Sequence, residues 1–505
     1  MSLARLHSTA LIGLEAVLIE VEVDLSRAEK FSLVIVGLPD AVVRESKDRV
    51  MAAIKNSGFQ AANIACTVNL APGDLRKEGA LYDLPIALGL LLSLLKIETK
   101  IHEEYLFIGE LGLSGELRPI YGALACAMLA KALGKKGLLL PAANAEEAAM
   151  VDGIEIYAIQ HLKEALQFLR SPSSLTPLPY CYSKEGFQTG PPLVDFADIR
   201  GQLHLKRALE IAAAGNHNIL LCGPPGSGKT MAAKALAGIL PEMSLEEALE
   251  VTKIHSISGL LKKDQHLVSH RPFRSPHHTV SYAGLIGGGT MPRPGEVSLA
   301  HHGILFLDEL PEFSRSVLEV LRQPLEDRKV TISRAQANLT FPTDFLCVAA
   351  MNPCPCGYLG HPDKPCTDTS LQVNRYRGKI SGPLWDRIDM HIDVPTLKYH
   401  ELLAAERGER SDTIKKRVKT ARKRQFERFG KNKSNAQMSA KEIKEHIPLS
   451  AACHETLRQA MDVMGMSARG CDKVIKVART IADLAGDPKM ENEHLMEAIG
   501  FRQMY

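Results

Sequence analysis

Residues Gly223-Pro224-Pro225-Gly226-Ser227-Gly228-Lys229-Thr230 follow directly on the apolar run Ile219-Leu220-Leu221-Cys222 and precede an alanine-rich stretch, Met231 to Leu240. The octapeptide fits the spacing G-x-x-x-x-G-K-[ST] without a mismatch, the pattern of a loop that cradles phosphates between a strand and a helix. Its glycines permit positive φ and leave backbone N–H groups bare, so successive amides turn inward around a triphosphate. Lys229 is then placed to neutralise β- and γ-phosphate oxygens, and Thr230 to ligate Mg²⁺. A plain glycine-rich turn is the alternative, and the flanking strand and helix argue against it. Such a loop requires an open, mostly parallel α/β sheet, and ATP with Mg²⁺ is the expected ligand pair.

At 505 residues the chain exceeds one ordinary core and predicts about three domains. A net charge of +3 does not by itself announce nucleic-acid binding, so local clusters must carry that argument. Glu15 and Glu20 interrupt the apolar segment behind Met1, which therefore reads poorly as a secretion signal. The longest apolar run, Leu84 to Leu95, is too short to span a bilayer and opens with a helix-initiating Pro85. These features predict a soluble cytoplasmic protein with no membrane partner, and ten cysteines in so long a chain are not a secreted disulfide framework.

Strand and helix signals alternate up to about residue 170, beginning with Val17 to Val23, Phe31 to Gly37 and a helical stretch from Val43 to Ser57. Residues 1–170 are read as one α/β domain. A stretch rich in proline, serine and glycine, 171–193, reads as a linker. Strands and helices alternate again around the phosphate loop in 194–397, as in an open parallel sheet. Residues 398–505 carry helical spacing, with Leu457, Met461 and Met464 and then Val474, Val477 and Ile481, and predict a helical linker and lid.

The run Gly303-Ile304-Leu305-Phe306-Leu307 stops at Asp308-Glu309, as a parallel strand buried on both faces would. Asp308 is placed to hold Mg²⁺ through water, and Glu309 to polarise the attacking water. Alone, an acid pair also fits an ordinary strand end; behind an intact phosphate loop it completes an ATP site. A third apolar strand, Phe345 to Met351, ends at Asn352, whose amide would reach the γ-phosphate or the water, the alternative being a turn-forming asparagine before Pro353.

Taken in order, GPPGSGKT, ILFLDE, AAMNPCPCGY, RYRGKISGPLWDRID and MSARGCDKVIKVARTIADL resemble the magnesium-chelatase-like AAA+ ATPases, in particular the competence protein ComM/YifB family, over essentially the whole chain. The resemblance implies that Arg387 is an arginine finger reaching a neighbouring subunit's ATP and that Arg469 is the lid's sensor arginine. A guanidinium offers delocalised charge and planar donors to a phosphoryl group in transfer, although an isolated arginine is more commonly a surface ion-pair partner. A finger working in trans leaves each monomer's site incomplete, so a ring, expected to be a hexamer, follows. Trp385, the only tryptophan, lies two residues from that finger and is expected to report assembly.

About eighty residues separate Lys229 from Asp308, more than one helix and one strand need. Within them, Arg271-Pro272-Phe273-Arg274-Ser275-Pro276-His277-His278-Thr279-Val280-Ser281 and Gly287-Gly288-Gly289 resemble the family's pore-facing insertion, and Lys329 to Thr340, with Arg328, Lys329 and Arg334, resembles the hairpin before the sensor strand. In related helicases both elements track nucleic acid, and basic side chains there would neutralise phosphates. Loop capping and intersubunit contacts are the alternative. Ten cations and one acid, Glu427, lie between Lys415 and Lys433, interleaved with Phe426 and Phe429. That helix suits a phosphate backbone or is a solvated linking helix.

Cys354, Cys356, Cys366 and Asp368 form a C-x-C…C-x-D set whose four donors suit one structural Zn²⁺, with reduced, unliganded thiols as the alternative. Many family members carry a cysteine where Asp368 stands. Cys66, Cys126, Cys347 and Cys471 lie in apolar surroundings and are read as core residues.

The amino-terminal stretches Leu75 to Ala87 and Leu111 to Ile120 resemble a Lon-protease-like domain. Aligned on Pro119-Ile120, Leu124 falls where the lysine of that family's Ser-Lys pair would be and the serine position falls near Tyr82, so the domain is expected to be non-proteolytic. The same domain type accompanies recombination ATPases such as RadA, where it helps build the ring and contacts DNA.

The expected function is therefore a ring-forming, ATP-driven DNA helicase or translocase acting on single-stranded or branched DNA. The family implies branch migration during homologous recombination in natural transformation, in company with recombination proteins. Two alternatives remain open: a magnesium-chelatase-type motor subunit, and an assembly or regulatory module switched by ATP.

Overall fold

The computed structural model describes residues 3–60, 64–180, 194–262, 265–289, 292–334, 337–396 and 408–502. The chain divides into two compact units, the first made of Met1–Phe187 with Ala248–Val268 and the second of Gln188–Glu247 with Ser269–Tyr505. The sequence boundaries near 170, 194 and 398 differ from this division in two respects. Residues 248–268, read as part of the ATPase core, cluster with the first unit, and the lid clusters with the core.

The first unit is built on a seven-stranded mixed sheet. Ala4–Ile12 and Glu15–Arg27 pair antiparallel about a tight turn at Gly13, and the long second strand alternates, with Ile19, Val21 and Val23 fully buried. At one end of the sheet Tyr105–Phe107, Gly137–Pro141 and Glu155–Ile159 run parallel, joined by crossover helices. The apolar run at Leu84 becomes the helix Asp83–Leu95, with eleven buried residues, which accounts for its lack of amphipathic pattern. Among the described residues no helix is long and apolar enough to cross a membrane. The segment 248–268 belongs here because Ser256 accepts from the Gly122 N–H at 2.9 Å and donates to buried Glu147, while Lys253 pairs with Glu15 at 2.8 Å. The first part of the expected linker is also held, since Leu178 N–H donates to Ile156 O at 2.7 Å; 181–193 lie outside the described residues.

The second unit carries a five-stranded sheet, all parallel, in the order Phe273–Arg274, Ile304–Leu307, Leu346–Met351, Ile219–Cys222, Met390–Asp393. Three of the strands, Ile219–Cys222, Ile304–Leu307 and Leu346–Met351, are buried at every position, as expected of parallel strands covered on both faces. The carboxy-terminal region is helical, including Ser411–Phe429, Ala451–Met464, Ala468–Ala485 and Asn492–Gly500. Val474, Val477 and Ile481 enter the same apolar core as the sheet, whereas Met461 faces outward at 42% exposure.

Candidate active site

The phosphate loop leaves the interior strand Ile219–Cys222, between Leu346–Met351 and Met390–Asp393, at the carboxyl edge where open α/β sheets bind ligands. Two of its glycines are required by geometry. A Cβ on Gly223 would stand 2.2 Å from the Val394 carbonyl oxygen, and Gly228, at φ +91°, caps the helix Lys229–Ile239 from the left-handed region. The Lys229 amine donates to Gly223 O at 2.6 Å, Pro224 O at 2.9 Å and Asn352 Oδ1 at 3.2 Å. Burial lowers its pKa, opposed by the charge of Asp308. Thr230 Oγ1 donates to Asp308 Oδ2 at 3.0 Å, so the two groups expected to hold Mg²⁺ converge from separate elements.

Asp308 follows the buried strand Ile304–Leu307, and Glu309 follows Asp308 at φ +53°, a left-handed conformation that a non-glycine residue holds only against strain. The turn lifts the Glu309 carboxylate to the surface at 57% exposure, where Oε2 lies 3.4 Å from His278 Nδ1. The structure thus brings together Lys229, Thr230, Asp308, Glu309 and Asn352, and adds His278, to which sequence reasoning assigned no part in this site.

Arg387 does not join this group within one protomer. Its Nη1 donates to Pro383 O at 2.8 Å and its Nη2 pairs with Glu326, leaving the side chain 18% exposed. Arg469 stands exposed in the first turn of Ala468–Ala485, behind the Ser467 cap.

The Cys354, Cys356 and Cys366 sulfurs lie 3.4, 3.6 and 3.5 Å apart, with Asp368 Oδ2 at 3.7 Å from Cys366 Sγ. A tetrahedron built on Zn–S bonds of about 2.3 Å has edges of about 3.8 Å, so the donors are nearly in place for zinc. Hydrogen bonds from Cys354, Cys356 and the Cys356 N–H hold the Asp368 carboxyl at about 2, keeping it an anionic donor. The loop also abuts the phosphate cradle, since a Cβ on Gly357 would meet Pro225 Cδ at 2.7 Å. Cys66, Cys126, Cys347 and Cys471 are buried as expected, and burial pushes the first three thiols up to about 12.

Most basic side chains singled out for phosphate contact are already paired. In the insertion, Arg271 Nη2 meets Glu247 at 3.1 Å and Arg274 grips Glu296 through two bonds of 2.6 and 2.7 Å. At the base of the hairpin Lys329–Arg334 with Ala337–Pro342, Arg328 pairs with Asp344; the Arg334 side chain lies outside the described residues. On Ser411–Phe429, Lys415 and Lys419 pair with Glu242, Arg417 with Glu210 and Glu409, and Arg428 with buried Asp483. Apart from Glu409, the partners on this helix are acids far away in sequence, which a local charge count overlooks. Lys416, Lys423 and Lys431 remain exposed.

In the first unit Tyr82 and Leu124, the positions aligned with a Ser-Lys pair, are both fully buried in apolar clusters. Neither offers a nucleophile and base at a surface.

Residues 195–402 match the family described as magnesium chelatase, subunit ChlI, residues 21–144 match subunit ChlI of Mg-chelatase, and 408–502 match the ChlI C-terminal family. The chain is 44% identical to competence protein ComM of Haemophilus influenzae, covering 100% of this chain and 98% of that protein. It is 41% identical to the uncharacterized protein YifB of Escherichia coli, covering 99% and 97%. Shorter matches reach Lon protease 2 of Bacillus subtilis, 30% identical over 28% of this chain and 26% of that one, and DNA repair protein RadA of Aquifex aeolicus, 36% identical over 20% and 22%. With full-length likeness joined to an intact phosphate loop, an acid pair behind a buried strand and Asn352 at the end of the next, the chain belongs to the competence protein ComM/YifB family of magnesium-chelatase-like AAA+ ATPases.

Proposed function

We propose that this protein hydrolyses ATP in a ring of identical subunits and uses the cycle to move single-stranded or branched DNA in the cytoplasm. The observation that carries the ATPase reading is the convergence of Lys229, Thr230, Asp308, Glu309 and Asn352 at the carboxyl edge of one parallel sheet. The phosphate loop binds the triphosphate through its amides, and Lys229 exchanges its carbonyl acceptors for phosphate oxygens. Thr230 and Asp308 would hold Mg²⁺, which neutralises charge on the β- and γ-phosphates. Glu309 takes the proton of the attacking water while Asn352 orients it, as positioning and electrostatics dominate phosphoryl transfer. Arg387 leaves Glu326 to reach the ATP of the adjacent subunit, and Arg469 enters from the lid; a hexamer is the expected ring.

DNA as the substrate draws support from the likeness to the DNA repair protein RadA and to the competence protein ComM. On this reading the protein drives branch migration while incoming DNA is recombined during natural transformation, alongside recombination proteins. The amino-terminal unit serves assembly and DNA guidance rather than proteolysis. The three sulfurs and Asp368 would hold a structural zinc, which would brace the loop that lies against Pro225. The ChlI matches favour a second reading, a chelatase-type motor subunit.

Unwinding of forked and four-way DNA with ATP tests the proposal, alongside Lys229→Ala and Glu309→Gln. Unwinding that both variants abolish is expected. Assembled, ATP-hydrolysing rings that neither bind DNA nor respond to it would overturn the DNA assignment.

A further inference from the structure

Asn216, Gly303 and Asp344 stand just ahead of the parallel strands Ile219–Cys222, Ile304–Leu307 and Leu346–Met351, and so mark the amino edge of the sheet, opposite the edge that carries the phosphate loop. Strands of four to six residues put roughly 15 Å between the two edges. All three residues line a cavity of about 630 Å³, a size usual for small-ligand sites. Its other walls are the segment 240–247, the second half of the basic helix Ser411–Phe429 and the turn behind that helix.

The charges of this cavity do not balance. Glu247 accepts from Arg271 Nη2 at 3.1 Å, from the Ser244 N–H at 2.9 Å and from Asn432 Nδ2 at 3.0 Å. Asp344 is taken by Arg328 and, at 2.9 Å, by Gln437 Nε2, while Lys415 and Lys419 hold Glu242. Arg422 has no such partner: among the described residues it makes no hydrogen bond or ion pair, and its Nε is buried without an acceptor. Arg271 with Glu247 and Arg328 with Asp344 cancel as two pairs, so the guanidinium of Arg422 is the charge left over. Burial lowers its pKa to about 10, with Arg271 adding to the effect and Asp344 opposing it. At the rim Lys431 and Glu246, both exposed, offset one another in charge. A buried cation with no counterion is costly, and a bound anion removes that cost.

The same helix sets an aromatic ring beside this cation. Phe426 follows Arg422 by four residues and so lies one turn on along the same face; it lines the cavity and is 53% exposed. A guanidinium grips phosphate oxygens with a planar fork of donors, and an open aromatic face stacks any nucleobase. We infer that this cavity is a second nucleotide site, with the phosphate on Arg422 and the base on Phe426. The nucleotide is either free or one link of a single strand, since both present the same chemistry. The site is separate from the phosphate loop and does not rest on the function proposed above.

Calorimetric titration of the full chain tests it, with the phosphate loop first filled by a non-hydrolysable ATP analogue and Mg²⁺. Thymidine monophosphate is expected to bind wild type, to bind Arg422→Gln at least roughly tenfold more weakly, and to bind Phe426→Ala severalfold more weakly. Inorganic phosphate should bind more weakly than the nucleotide and be indifferent to Phe426→Ala. Lys423→Ala, on the exposed side of the helix, should bind the nucleotide as wild type does. A short oligothymidylate that displaces the nucleotide from wild type identifies the occupant as part of a strand, and failure to displace it identifies a free nucleotide. No binding of thymidine monophosphate, equal affinity in Arg422→Gln, or phosphate bound as tightly as the nucleotide would overturn the site. Arg422→Met separates binding from folding: freed of an unpaired charge, it should unfold in phosphate-free buffer at a midpoint no lower than wild type. A midpoint several degrees lower would show that the guanidinium is already satisfied, and would overturn the proposal.

Discussion

The amine of Lys229 lies 3.2 Å from the amide oxygen of Asn352, although 123 residues separate them in sequence. The contact joins the phosphate loop to the end of the neighbouring strand, and on the proposed reading the γ-phosphate would lie between this cation and amide. Lys229→Ala removes charge-assisted bonds to phosphate and is expected to weaken ATP binding roughly tenfold or more, whereas Glu309→Gln keeps affinity and lowers kcat by roughly 10²–10⁴. Equilibrium binding of a fluorescent ATP analogue beside single-turnover hydrolysis measures both effects.

The sulfur triangle predicts about one zinc per chain in protein purified without chelators. Cys366→Ser should lose the metal and lower the thermal midpoint, while Asp368→Cys should hold it at lower free zinc. Metal-free wild-type protein whose three thiols titrate freely would count against the site.

His217 is buried with Nε2 at 2.7 Å from Thr480 Oγ1, and burial, outweighing Asp389 at 3.9 Å, lowers its pKa to about 4. The unfolded chain takes up this proton near 6.5 and the folded one near 4, so the contribution to stability is complete above the first value and declines as pH falls to the second. The full loss is roughly 3 kcal/mol. Unfolding midpoints at pH 7 and 4.5 should show a shallower difference in His217→Gln than in wild type.

Asp483 is fully buried and receives Arg428, Asn435 and Arg479 together. Asp483→Ala strands Arg479, which is 4% exposed, and should cost about 3–5 kcal/mol of stability. Lys416→Ala and Lys423→Ala, on the exposed side of the basic helix, should leave the unfolding midpoint unchanged and reduce the salt dependence of DNA binding by about 1 per lysine.

The candidate ATP site was legible in sequence because each of its parts is a short contiguous run: one octapeptide, one acid pair after an apolar strand, one asparagine after another. The three buried strands announced themselves by being apolar throughout. What sequence patterns left out depends on long-range pairing. Arg271, Arg274, Arg417 and Arg428 read as free cations because their acids stand elsewhere in the chain. His278 is visible only as part of a motif, since its approach to Glu309 at 3.4 Å joins two segments distant in sequence. Residues 248–268 were assigned to the core because nothing local marks Ser256 as a partner for Glu147.

Mixing two inactive variants tests most directly whether a neighbour completes each ATP site. Lys229→Ala keeps Arg387 but has a dead pocket, and Arg387→Ala keeps the pocket but lacks the finger. If the finger acts across subunits, the mixture regains ATPase activity that neither variant shows alone, and the gain grows with protein concentration. A mixture no more active than the sum of its parts, or an Arg387→Ala protein hydrolysing ATP at the wild-type rate, would contradict the account.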